Sequence, residues 1–235
     1  MSDVIAVCVA GATGWTSRAV AEAVLGDADL DLRSAVEVLV DYTSHDVAKR
    51  HTLTAVAHGV HVVIGSSGLT AADFAEIDAA ARAAGVGVVA AGNFSLTAAM
   101  AQAAALLVAP YLPNREIVDY ASAGKPDAPS GTARELAERL GAVSTPAMYV
   151  PVEQTGGRGE ARGATVAGTQ VHSLRLPSFV VSTEVVFALP DERLVIRHDA
   201  GPTPAPYVAG TLLAVRAAPD RTGLVRGLDT LLLER

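Results

Sequence analysis

The sequence is short of cysteine, of aromatic residues and of clustered positive charge. Its one cysteine, Cys8, excludes an intrachain disulfide; it lies in an apolar run, where such a residue behaves as a small hydrophobe. The formal net charge is −7 and no run of lysine and arginine offsets it, which argues against nucleic acid or an anionic membrane surface as a partner. No stretch approaches the roughly 18 apolar residues of a membrane span. The N-terminus has neither the basic start nor the separate apolar core of a signal peptide. These absences point to a cytoplasmic protein with no membrane partner, and no metal is expected. What remains is a chain of 235 residues, half of them hydrophobic, long enough to bury one large core or two modest ones.

The apolar pattern is that of a nucleotide fold. Val4 to Ala10 is a β-branched run without polar alternation, as expected of a parallel strand covered on both faces. It runs into Gly11-Ala12-Thr13-Gly14, and a helical stretch follows from Trp15 to Leu25. Further buried strands are expected at Val38 to Tyr42, His61 to Ile64 and Val86 to Ala90, with helices near Asp46 to His58 and Ala71 to Ala84 between them. Alternating strands and helices imply a Rossmann-like, doubly wound parallel α/β sheet. After a helix from Leu96 to Ala109 the character changes. Strand signals at Glu116 to Tyr120, Thr165 to Ser173, Phe179 to Ala188 and Arg193 to His198 suit a mixed or antiparallel sheet, with a helix over Thr132 to Leu140. The stretch Tyr207 to Leu233 reads as helical again. The expected division is therefore a dinucleotide-binding domain of residues 1–95 and 200–235, and a substrate-binding and oligomerisation domain of residues 96–199.

One junction does not fit. Asp29 to Val36 reads as a second strand, yet Glu37 leads directly into the next, and parallel strands need a crossover of about a dozen residues or more. Either the fold lacks a strand-helix unit or a segment near Val36 is absent from the sequence; the second reading is preferred on geometric grounds.

Four segments carry candidate chemistry. Gly11, Gly14 and Ser17 occupy the places of a glycine-rich dinucleotide turn with its third glycine replaced: Gly11 for the tight turn, Gly14 for the approach of a pyrophosphate to the helix N-terminus. Thr13, Trp15 and Arg18 border it; an ordinary tight turn is the plainer alternative. Gly65-Ser66-Ser67-Gly68 ends another strand on the edge where open α/β sheets bind ligands, and small residues there admit a flat ring. Asn93-Phe94-Ser95 follows the next strand and either orients a ligand or caps a helix with Phe94 in the core. The fourth, Lys125-Pro126-Asp127-Ala128-Pro129-Ser130-Gly131-Thr132, sets a lysine before a rigid loop and opens a helix with Ser-Gly-Thr, so hydroxyls and amides converge on one anion site for a carboxylate or phosphate. A capping Ser130 with an incidental lysine is the alternative, and Asp127 is suited to fixing the loop.

These segments, with Val40-Asp41-Tyr42-Thr43, His172-Ser173-Leu174-Arg175 and Ile196-Arg197-His198-Asp199, occur in an order that resembles the 4-hydroxy-tetrahydrodipicolinate reductase family along essentially the whole chain. The resemblance implies a homotetrameric enzyme of the lysine (diaminopimelate) pathway type that passes hydride from NADPH or NADH to a cyclic, carboxylated imine. It implies that Lys125, Ser130, Gly131 and Thr132 hold a substrate carboxylate, with Ser122 nearby and Lys125 catalytic. It implies cofactor contacts from Gly11, Thr13, Gly14, Trp15, Thr43, Gly65, Ser66, Ser67, Asn93, Phe94 and Ser95, the Gly65 turn facing the nicotinamide. The family places two histidines just before the lysine; here Ala121 and Ser122 stand instead. Alanine donates no proton, so a divergent reductase acting on another carboxylated imine or enamine, or a catalytically silent dinucleotide-binding protein, are the rivals. His172 and His198 read as structural.

Overall fold

The structure, a computed structural model, describes residues 4–33 and 36–234. The chain divides into two compact units, Met1–Ala99 with Thr203–Arg235, and Met100–Pro202.

The first unit is built on six parallel strands: β1 (Ile5–Ala10), β2 (Leu30–Leu32), β3 (Val38–Asp41), β4 (His61–Ile64), β5 (Gly87–Ala90) and β11 (Gly223–Arg226), in the order β11-β5-β4-β3-β1-β2. Val7, Val38, Val40, Val62, Val63, Val88 and Val89 are fully buried, because both faces of the sheet are covered. On one face α1 (Trp15–Leu25) and α6 (Ala205–Ala217) enclose Val7, Val20, Val24, Val40 and Val215. On the other, α2 (His45–Ala57) and α3 (Ala71–Ala84) close over Val56, Ile64, Ile77 and Val88. Helix α3 is bounded by local chemistry: Thr70 and Asp73 form a reciprocal capping box, and Gly85, at φ 70°, ends it in the left-handed region. α4 (Leu96–Val108) then leads from the first unit into the second.

The awkward junction lies between β2 and β3. Leu32 and Val38 both pair with Val7, from opposite sides of β1, and among the described residues no helix lies between them. The expectation of a missing segment falls at residues 34–35, outside the described residues.

The second unit carries a five-stranded mixed sheet of β6 (Asn114–Ser122), β7 (Ala164–Val166), β8 (Thr169–Leu176), β9 (Val181–Leu189) and β10 (Glu192–Asp199), ordered β10-β9-β6-β8-β7. Only β6 and β8 run parallel. α5 (Gly131–Val143) packs Leu136 and Leu140 against Ile117, Val171 and Phe187.

Two elements differ from the sequence expectation. The stretch from Tyr207 to Leu233 is not helical throughout: after α6 and a 3-10 turn, Gly223 turns at φ 88° into β11, which extends the first unit's sheet beside β5 before α7 (Leu228–Leu233). The strand expected over Thr165 to Ser173 is two antiparallel strands, because Ala167 and Gly168, at φ 47° and 81°, reverse the chain.

Candidate active site

The carboxyl ends of β1, β3, β4 and β5 bring four of the expected segments to one edge of the first unit. Strand order turns about β1, with β2 on one side and β3 on the other, and ligands of open α/β sheets bind outside the carboxyl ends at such a point. There Gly11, at φ 73°, makes the tight turn, its carbonyl accepting from Gly14 N at 2.8 Å. No side chain caps the start of α1 at Gly14. That leaves the arrangement suited to an anion, since first-turn amides and the helix dipole point the same way. Ser17, in place of the third glycine, is buried and donates its hydroxyl to the Gly11 carbonyl, so it staples the turn rather than spacing the helix. Thr13 and Trp15 are exposed beside the turn; Trp15 meets Tyr207 edge-on at 6.1 Å, and Arg18 donates to the Thr13 carbonyl at 3.3 Å.

The hydroxyls of Thr43 and Ser66 both turn to one buried carboxylate. Asp41, the last residue of β3, is fully buried. Its Oδ1 accepts from Thr43 N at 2.9 Å, Thr43 Oγ1 at 2.6 Å and Ser66 Oγ at 2.9 Å, and its Oδ2 accepts from His51 Nδ1 at 2.8 Å. Burial raises the pKa of this carboxyl, but the hydrogen bonds from Thr43, His51 and Ser66 together outweigh it and hold the group below its ordinary value. Thr43 and Ser66 thus each commit the hydroxyl proton to Asp41. Gly65 has no room for a side chain: a Cβ there would lie 2.1 Å from the Tyr42 ring. Tyr42 is itself fixed by its hydroxyl on Thr211 at 2.6 Å and by Phe94 edge-on at 6.0 Å. Ser67 stays exposed on the turn.

Asn93-Phe94-Ser95 follows the capping alternative. Asn93 Oδ1 accepts from Ser95 N at 2.9 Å, Ser95 Oγ meets Thr97 Oγ1 at 3.0 Å, and Phe94 is 2% exposed in the core. The Phe94 ring packs in the core against Tyr42, so any contact from Phe94 to a cofactor is through its backbone.

The second unit holds the lysine segment. Lys125 N closes a turn on the Ser122 carbonyl at 3.0 Å, and Lys125 Nζ pairs with Asp127 Oδ1 at 2.7 Å, the lysine about one-quarter exposed. Asp119, fully buried on β6, is the anchor of this segment. Its carboxylate accepts from Ser130 N at 2.8 Å, Ser130 Oγ at 2.6 Å, Ser173 Oγ at 3.1 Å and Arg175 NH2 at 2.8 Å. Here too burial raises the carboxyl's pKa, and bonds from Ser130 and Arg175 outweigh it. Arg175 NH2 also donates to the Asp127 carbonyl at 2.6 Å, so both ends of the loop are tied to one buried ion pair. Ser130 is 2% exposed; its oxygen accepts from Ala133 N at 3.3 Å as the cap of α5. Its hydroxyl is thus occupied by Asp119 and by the helix cap. Lys125 and the α5 start at Gly131 and Thr132 lie on the same segment, and Ser122 is exposed.

Ala121 is fully buried, so the small residue is matched by its surroundings rather than leaving an opening. His172 pairs with Glu116 at 2.7 Å and Glu184 with Arg197 at 3.1 Å; these are sheet pairs, as is Asp119 with Arg175. A broad cavity of about 500 Å³ in this unit is lined by Glu116, Arg162, His172 and Tyr149 and contains none of the expected site residues. Asp41 and His51 were missed as organisers, although a lone carboxylate closing an apolar run, as in Val38-Leu39-Val40-Asp41, was the available signal.

Residues 92–232 match the family described as dihydrodipicolinate reductase, C-terminus, and residues 33–94 match its N-terminus. A 4-hydroxy-tetrahydrodipicolinate reductase of Beutenbergia cavernae is 38% identical over 218 residues, covering 91% of this chain and 87% of the relative. One from Moorella thermoacetica is 40% identical over 197 residues, covering 83% and 73%. A dipicolinate-bound dihydrodipicolinate reductase from Paenisporosarcina sp. TG-14 superposes with a TM-score of 0.75 at 22% identity, covering 97% of this chain and 99% of that one, and so shares the fold. With both halves of the sequence matched, the chain belongs to the dihydrodipicolinate reductase family of NAD(P)H-dependent oxidoreductases.

Proposed function

We propose that this chain uses NADPH or NADH to reduce a carboxylated cyclic imine, in the manner of a 4-hydroxy-tetrahydrodipicolinate reductase. The observation that carries the reading is the Lys125 to Thr132 loop, tied at both ends to the buried Asp119–Arg175 pair. A loop held so firmly keeps one ammonium and one helix start in fixed relation, which is what anchoring a carboxylate requires.

The carboxyl edge of the first unit fits a dinucleotide. The α1 start without a side-chain cap suits the pyrophosphate, and the turn at Gly65, too crowded below for any Cβ, admits a flat ring from above. When bound, the reduced nicotinamide supplies the hydride. The chain's own part is then to hold the substrate carboxylate by Lys125 and the amides at Gly131 and Thr132. The proton that completes the reduction goes to the carbon left electron-rich, and Lys125, an ammonium in that loop, is its donor, directly or through water. Residues 1–95 and 200–235 serve the cofactor, residues 96–199 the substrate and assembly, and the working form is a cytoplasmic homotetramer.

Ala121 and Ser122 favour a second reading, a substrate other than dihydrodipicolinate in the same chemical class. General acid catalysis contributes about 10²- to 10⁴-fold, so a site lacking the family's histidines turns over the usual substrate slowly. The test is oxidation of NADPH and of NADH with freshly generated dihydrodipicolinate and with other carboxylated cyclic imines. Turnover of dihydrodipicolinate at the rate of family members that keep the histidines excludes the second reading; turnover of no imine excludes both.

A further inference from the structure

We propose that Asp41 and His51 are positioning residues for the dinucleotide, holding three loops of the first unit in register through one buried carboxylate. The inference rests on the reductase reading. Asp41 stands at the end of β3, where strand order turns about β1, and it is fully buried. One oxygen takes both donors of Thr43 and the hydroxyl of Ser66, which begins the turn after β4. The Thr43 methyl in turn lies 3.2 Å from where a Cβ on Gly11 would stand, so the glycine turn after β1 packs against the loop that Asp41 holds. Only the other oxygen is left to be oriented from outside this group, and His51 on α2 does that at 2.8 Å.

His51 is a positioning residue and not a catalytic one, because it reaches the site only through Asp41. Its side chain is about one-third exposed, so its removal opens no core. Without that donor the second oxygen is unanchored, and the carboxylate, held through Oδ1 alone, fixes the spacing of the Thr43 and Ser66 backbones less tightly. The effect belongs on cofactor binding: Lys125, the proposed donor, sits in the other unit.

The experiment compares His51→Ala with His51→Asn in the full chain. Asparagine places its amide nitrogen where the Nδ1 donor stands, whereas alanine removes it. NADPH affinity is read by fluorescence titration, and KM for NADPH and kcat are read at saturating substrate. His51→Ala is expected to weaken NADPH binding about tenfold, the scale of one hydrogen bond to a charged group, with kcat within about twofold, and His51→Asn to restore most of it. Unchanged affinity in His51→Ala, or equal loss in both variants, overturns the proposal. Should His51→Ala fail to fold, His51→Gln carries the same test, since its longer side chain displaces the donor nitrogen from Asp41: a severalfold rise in KM for NADPH relative to His51→Asn supports the proposal and no rise overturns it. Wild-type protein that binds neither NADPH nor NADH contradicts the reductase reading, and the inference with it, whereas normal wild-type binding with an indifferent His51→Ala contradicts the inference alone.

Discussion

Replacing Asp119 by alanine tests whether the lysine loop is held as described. The carboxylate is fully buried and accepts four hydrogen bonds, two from Ser130, one from Ser173 and one from Arg175. Removing it leaves the Arg175 guanidinium, itself only 16% exposed, with carbonyl partners and no counter-charge. Breaking one side of a buried ion pair costs about 3–5 kcal/mol, and the freed Ser130 amide adds a loss of order 1 kcal/mol. Against a total stability of about 5–15 kcal/mol, the variant is close to unfolding. Asp119→Asn is milder: it keeps one acceptor but turns an amide group toward donors, for a loss of about 2–3 kcal/mol. Urea denaturation followed by circular dichroism measures both. Pyridine-2,6-dicarboxylate, a planar dicarboxylate, then serves as an anion probe for the folded Asn variant, whose affinity should fall about tenfold as the loop loosens. A loss of stability below 1 kcal/mol in both variants, with unchanged dicarboxylate binding, refutes the reasoning.

Further outcomes follow from single contacts. Gly65→Ala drives a methyl into the Tyr42 ring and should lower stability by about 1–3 kcal/mol and weaken NADPH binding; a thermal scan with normal binding would contradict it. Lys125→Ala removes an ion pair of small structural worth, so the melting temperature should hold, while kcat/KM falls by at least about 100-fold, because a contact to a charged carboxylate and the proposed proton donor are lost together. β2 ends beside Val7, about 10 Å short of the carboxyl end of β1 at about 3.3 Å per residue, so Asp31 and Arg33 lie away from the binding edge. Arg33→Ala should leave the ratio of NADPH to NADH affinity within about twofold. His61 is held below its ordinary pKa by burial, so its share of stability is present above the unfolded value near 6.5 and is lost as pH falls through the lower folded value. His61→Gln should flatten the acid side of a denaturation series in that window.

The strand-turn-helix of the first unit was legible because parallel strands covered on both faces read as unbroken apolar runs, as Val4 to Ala10 does. β11 was not: four residues opening on a positive-φ glycine, Gly223-Leu224-Val225-Arg226, give too short a period to separate from flanking helices. The split at Ala167-Gly168 was hidden for a related reason, since alanine is no turn signal and takes φ 47° only because the two strands pair around it. At the site, sequence gave residue type without direction. Ser66, Thr43 and Ser130 lie where a ligand-binding edge needs polar groups, yet each hydroxyl is claimed by a buried aspartate, a preference set by burial that spacing does not encode. Lys125 and the glycines were legible because their roles depend on backbone form and charge, which motif order preserves.

The most direct test of the central claim is the consumption of reduced nicotinamide by the wild-type chain when freshly generated dihydrodipicolinate is added, repeated with Lys125→Ala. Imine-dependent oxidation of NADPH or NADH, slower than in relatives with the histidine pair and falling at least about a further 100-fold in the variant, as the carboxylate contact and the proton donor are lost together, is the expected result. Tight NADPH binding with no oxidation on any carboxylated cyclic imine would contradict it.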